Sequence, residues 1–100
     1  MTHDFHPDAR TEYCEAAAWY EERRFGLGEE FIAEVEHGIK CIAKAADTFQ
    51  RVDDDFRVFR LKRFPYYIYY GLSAGLAHFR IYAIAHNRRR PGYWSGRIKG

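Results

Sequence analysis

The sequence predicts an α+β fold in a single domain, residues 1–100: a short N-terminal strand and a helical hairpin packed on a small antiparallel β-sheet. Three observations carry this. In the front half, apolar residues recur three and four positions apart, the spacing of one helix face. After Asp55 the pattern changes to alternation, the period of a strand. The charge changes at the same place: all fourteen acidic residues lie in the first 55 positions, and ten of the sixteen Lys and Arg lie in residues 56–100. The front half is formally −8 and the back half +10. A basic, aromatic half joined to an acidic one predicts a surface that meets polyanions or an acidic protein partner.

Residues His3–His6 read as a short extended segment before Pro7, which suits the first turn of a helix, with Asp8 favourable for the dipole. Ala9, Tyr13, Ala16, Ala17 and Tyr20 form the apolar stripe of a helix over about residues 8–24. Gly26 and Gly28 end it. A second helix over about 28–45 buries Phe31, Val35, Ile39, Ile42 and Ala46, and the short connection makes the pair an antiparallel hairpin. Gly38 lowers helix propensity by about 1 kcal/mol against Ala, so a close contact is expected there.

Asp53–Asp55 reads as a polar turn. Phe56–Leu61, Tyr66–Leu72 and Leu76–His86 read as three strands, joined through Arg63–Pro65 and a Ser73–Gly75 hairpin turn. In the last strand Ala77, Phe79, Ile81, Ala83 and Ala85 share one face, expected to pack on the helices. His78, Arg80, Tyr82, Ile84 and His86 share the other, expected to be partly wet and cationic. The tail HNRRRPGYWSGRIKG is basic, with no helical period.

An apolar content of 47% fits a globular domain, and 18% aromatic residues favour half-buried binding surfaces. The cysteines Cys14 and Cys41 have no disulfide or CxxC spacing, so a reducing cytoplasm is expected. No apolar run approaches the roughly 18 residues of a membrane span, so no membrane association is expected. His3 and His6 around Asp4 make a weak metal spacing with no second ligand pair, so no metal and no cofactor are expected. No phosphate-binding glycine loop or nucleophile elbow occurs.

The segments RLKRFPYYIYY and AIAHNRRRPGYWSGR, after two helices, a turn and Arg57, resemble the RelE/ParE toxin superfamily, which includes toxins of bacterial type II toxin–antitoxin modules. The likeness is strongest at Phe64-Pro65-Tyr66 with Ile68 and Tyr70, and at His86, Arg88, Arg89, Pro91, Tyr93, Trp94 and Arg97. The opening strand, Pro7, Ala9 and AAAWYEERRFGLGEEFIAEVE also fit, so it spans nearly the whole chain. The resemblance implies a helical hairpin on one sheet face and a concave, basic opposite face in the ribonuclease members. It implies a cognate antitoxin that wraps the toxin, and operator DNA bound only through that antitoxin. Plasmid stabilisation and growth inhibition are the corresponding cellular roles.

Two activities occur on such folds: mRNA cleavage on the ribosome, as in RelE, and poisoning of DNA gyrase, as in ParE. The fold does not choose between them, so whether this chain is an enzyme stays open. By resemblance, Arg60 and Lys62 fall near the basic positions of the second strand, Arg88 near the arginine after the last strand, and Tyr93 near the C-terminal tyrosine. Tyr67 stands about where RelE carries a third-strand arginine, which tilts the resemblance toward ParE.

Cleavage of RNA through its 2′-OH needs a base, an acid and cations. His86 is the acid–base candidate, Arg60, Arg88 and Arg89 are candidates for phosphate, and Tyr93 or Trp94 for stacking on a base. Each has a plainer reading. His86 can end its strand bonded to backbone, Arg88, Arg89 and Arg90 can be a solvated run or an antitoxin contact, and Tyr93 with Trp94 can be a lid on the sheet. Tyr67 and Tyr69 read equally as core edge or partner groove. Lys62, Arg80 and Arg97 complete the candidate binding set for antitoxin or target.

Overall fold

The computed structural model describes residues 1–73 and 77–99. The chain runs β1 (Thr2–Phe5), α1 (Pro7–Arg23), α2 (Leu27–Ala45), a 3-10 turn (Ala46–Thr48), β2 (Arg57–Arg60), β3 (Tyr66–Leu72), β4 (His78–His86) and a 3-10 turn (Ser95–Lys99). The strands form one sheet in the order β1-β4-β3-β2. The three C-terminal strands are antiparallel as expected, and β1 adds to β4 in parallel, so the sheet is mixed. Parallel pairing is open to β1 because the helical hairpin and two strands intervene before β4, a connection long enough for a crossover. The expected turn at Ser73–Gly75 lies largely outside the described residues.

Helix α1 starts where Pro7 fixes a helical φ, and His6 caps it, its Nδ1 accepting the Asp8 N–H at 3.0 Å. Gly26 adopts φ +85°, a left-handed conformation that favours glycine, and turns the chain into α2. The Glu21 carboxylate fixes this turn by accepting the Gly26 and Gly28 N–H groups at 2.9 and 3.0 Å. The stripe expected on α2 is buried as a whole: Phe31, Val35, Ile39, Ile42 and Ala46. On α1 only Ala9 and Ala16 are fully covered, and Tyr13, Ala17 and Tyr20 lie half-buried around them. The expected close contact at Gly38 is with β2, where a Cβ would stand 2.9 Å from Phe59 Cε1. Fully buried Tyr70 donates its hydroxyl to the Ala46 carbonyl at 2.6 Å, tying the middle of the sheet to the end of α2. The Asp53 carboxylate accepts the Asp55 and Phe56 N–H groups and makes the expected polar turn.

One expectation fails inside β4. Tyr69 pairs with Ala83 and the next residue, Tyr70, pairs with Ile81, so Tyr82 is an extra residue, a β-bulge. The bulge reverses which face later residues present. Phe79 and Ile81 face the helices as expected, but Ala83 and Ala85 turn to the far face, and Ile84 joins the helix-side core in their place. The far face is therefore not the wet cationic surface expected there. Phe56, Ala83, Ala85 and Trp94 make a second small core on it, flanked by Tyr69, Tyr82 and Tyr93.

Candidate functional site

The tail forms a strap across this far face. Trp94 is 5% exposed and stacks on Tyr69 with ring centroids 3.6 Å apart, above the small side chains of Ala83 and Ala85. Its Nε1 is buried without a hydrogen-bond partner among the described residues, so apolar contact alone holds the ring there. The strap is latched by Glu12 of α1. One Glu12 oxygen accepts the Ile84 N–H at 3.1 Å and an Arg97 nitrogen at 3.0 Å. The other accepts the Tyr93 hydroxyl at 2.8 Å and a second Arg97 nitrogen at 2.9 Å. Arg97 also donates to the Tyr82 carbonyl at 2.9 Å and lies 3.7 Å from Asp8. Burial, and then the bond to Glu12, push the Tyr93 hydroxyl far above its ordinary range. Trp94, Arg97 and the Tyr93 hydroxyl thus have internal partners, and the lid reading describes the Tyr93–Trp94 pair.

Part of the charge division of the sequence is spent inside the molecule. Asp4 meets His78 at 2.9 Å and Arg80 at 3.3 Å. Glu30 meets Arg63 at 2.7 Å and Arg24 at 3.1 Å, and these bonds hold its carboxyl below the usual range. Glu34 accepts the Lys62 and Arg63 N–H groups at 2.7 and 2.9 Å. Arg57 donates to the Asp47 and Phe49 carbonyls.

Other cations have no such partner among the described residues, and five of them lie close together in the C-terminal half. Arg60, Lys62, Arg88, Arg89 and Arg90 have no carboxylate within 4.0 Å among the described residues. The sheet register brings them to one end. Arg60 closes β2 opposite Tyr67, Tyr67 lies second in β3 opposite Ala85, and residues 88–90 follow one residue after β4. The Asn87 N–H donates to the Pro65 carbonyl at 2.8 Å and holds the arginine turn against the β2–β3 connection. Arg60 sits over the Tyr67 ring at 5.3 Å and Arg89 over the Tyr93 ring at 3.9 Å. The positive charge gathers at an end of the sheet, not across its face.

His86 is separated from Arg60 by the sheet. It pairs with Tyr66, whose ring it meets edge-on at 5.2 Å, on the helix side. Its Nδ1 accepts the Arg88 N–H at 3.1 Å, the strand-end geometry of the plainer reading. There it lines a groove of about 590 Å³ with Trp19, Tyr20, Tyr66, Glu15 and Arg89. The structure brings Arg60 to Tyr67 and Arg89 to Tyr93. It does not bring His86, Arg60 and Tyr93 to one point.

Glu12 is the residue that sequence reasoning missed. Its signal was position, since a carboxylate between Ala9 and Ala16 sits beside the buried stripe of α1. Among the described residues no cluster of three or more His, Cys, Asp or Glu is arranged for a metal, and no helix is long and apolar enough to cross a membrane.

No family model and no curated protein matches the sequence. The structure aligns with a chain of the chromosomal ParDE TA system from P. aeruginosa at a TM-score of 0.59, over 86% of this chain and 95% of that one, with 12% identity. The likeness is one of fold, and the architecture is ParE-like, as the sequence resemblance implied.

Proposed function

We infer that this chain is the toxin of a bacterial type II toxin–antitoxin module, neutralised by a cognate antitoxin, and that it inhibits DNA gyrase by binding, in the cytoplasm. The ParE-like fold supports the toxin assignment. The observation that favours gyrase is the dispersal of the acid–base set. His86 lies on the helix side of the sheet, Arg60 on the other, and the Tyr93 proton is held by Glu12. General acid–base cleavage needs its groups within hydrogen-bond reach of one reacting site, whereas inhibition by binding needs only a complementary surface. The five unpaired cations at the sheet end supply one.

Those same cations favour a second reading, a ribosome-dependent mRNA endoribonuclease using Arg60, His86, Arg88 and Tyr93, because they suit a polyanion. Two assays of the purified chain separate the two. The gyrase reading predicts stabilised cleaved DNA with purified gyrase and intact mRNA on programmed ribosomes. Cleavage of mRNA that requires ribosomes and disappears in His86→Ala contradicts it. A folded chain without effect in either assay, or on growth, leaves an inactive antitoxin-binding module.

A further inference from the structure

The β1 edge of the sheet carries a chain of side-chain hydrogen bonds that the toxin reading does not use. β1 pairs in parallel with β4, with Thr2 opposite His78 and Asp4 opposite Arg80. Alternation puts Thr2 and Asp4 on one face of β1 and Phe5 on the other, where it stacks on Tyr13 of α1. His78 and Arg80 likewise alternate with Phe79 and Ile81, which pack into the helix-side core. The Thr2 Oγ1 lies 2.8 Å from His78 Nδ1, and His78 Nε2 lies 2.9 Å from Asp4 Oδ1. Arg80 holds the other Asp4 oxygen at 3.3 Å.

These partners assign the tautomer of the neutral imidazole. A carboxylate oxygen only accepts, so Nε2 carries the ring proton and donates it to Asp4. Nδ1 is then the bare nitrogen, and the Thr2 hydroxyl donates to it. The chain's other threonines differ. Thr11 donates to the Pro7 carbonyl at 3.2 Å and Thr48 to the Ala45 carbonyl at 2.7 Å. A backbone carbonyl accepts a hydrogen bond but does not take up the proton, whereas an imidazole nitrogen does. Thr2 also reaches the Ala77 carbonyl, at the longer distance of 3.4 Å. A hydroxyl within reach of a base, and a base oriented by a third group, is the arrangement of an activated nucleophile. Thr2 and Asp4 are exposed and His78 is partly so, which leaves the hydroxyl open to a small reagent.

We propose that Thr2 is an acyl-acceptor site, a hydroxyl that takes an acyl group from an activated thioester, with His78 as its base and Asp4 as the positioning residue. Thr2 Oγ1 adds to the carbonyl carbon of the thioester while its proton passes to His78 Nδ1. The carbon–sulfur bond then breaks, and the leaving thiolate takes the proton from His78. Thr2 is left as an ester, the donor as a free thiol, and the imidazole as it began. Asp4 keeps the ring in the one tautomer that can accept the proton. The site lies on the sheet edge opposite β2 and stands whether or not the chain is a toxin.

The test treats the full chain with phenyl thioacetate and maps acetyl groups by peptide mass spectrometry, with release by alkaline hydroxylamine marking an ester. The expected result is acetylation of Thr2 about tenfold or more faster than that of Thr11, which is also exposed but bonded to a carbonyl. The rate at Thr2 should fall about tenfold or more in H78N, which keeps a polar group at that position but no base, and in D4N. Amide exchange at His6, whose N–H bonds the Ile81 carbonyl at 2.8 Å, reports whether β1 stays on β4 and should not change. A merely structural pin moves that exchange and leaves no fast acetylation to lose. Thr2 acetylated no faster than Thr11 in wild type overturns the proposal, and so does an H78N chain with β1 in place that reacts as wild type does. If H78N loosens β1, the comparison of Thr2 with Thr11 in wild type decides alone.

Discussion

Arg97 and the Arg88–Arg90 run lie within ten positions of one another and do opposite things. Arg97 is 16% exposed at its side chain, Glu12 is 15% exposed, and the two are joined by two short bonds. Arg88, Arg89 and Arg90 are exposed, with no carboxylate partner among the described residues. Equal formal charge therefore has two meanings in this chain. Where a cation from the back half reaches a carboxylate from the front half, it fastens tail or sheet to helix. Where the register carries cations past the last acidic side chain, they stay available to another molecule. The Arg97–Glu12 pair has lost most of its solvation and holds only as a pair, while the exposed run contributes little to stability and much to long-range attraction.

That contrast is sharpest under mutation. Glu12→Ala should have the largest effect on stability, about 3 kcal/mol, because it leaves buried Arg97 with only the more distant Asp8 carboxylate and releases the Tyr93 hydroxyl and the Ile84 N–H. A urea midpoint checks this, and loss of the Trp94 fluorescence environment should accompany it. Gly38→Ala should cost about 1–3 kcal/mol, since the new methyl meets the Phe59 ring at 2.9 Å and the floor must shift. Tyr70→Phe, which strips the bond to the Ala46 carbonyl, should cost about 1 kcal/mol by the same measurement.

Acid pH probes the paired side more gently. Glu30 is held below its ordinary value of 4.5 by its bonds to Arg63 and Arg24. Its contribution is therefore present above that value and is lost as pH falls through the lower folded value. In Glu30→Gln the decline of stability below pH 4.5 should be shallower than in wild type, in urea midpoints taken across that range.

Much of this was legible in the sequence. The stripe of α2 was, because four large or medium apolar side chains at helical spacing admit a single buried face. So was the contact at Gly38, since a glycine inside a helix asks for a neighbour. The faces of β4 were not. Ala83, Ile84 and Ala85 are apolar in succession, so either register buries something, and the register adopted puts the two alanines in the cluster with Trp94. Nor was the fate of the charges. Counting them by halves gave the division and not the pairing, because totals do not say which carboxylate a folded arginine meets. Tyr93 illustrates the same limit: its hydroxyl is held by a glutamate some eighty positions earlier.

One variant tests the division between fastening and available cations most directly: R60A/K62A/R88A/R89A/R90A. Its urea midpoint and its effect on growth after induction should be measured beside wild type. The account predicts a midpoint within about 0.5 kcal/mol of wild type, as expected for exposed, unpaired side chains, together with loss of growth inhibition. A folded variant that arrests growth as wild type does would contradict it.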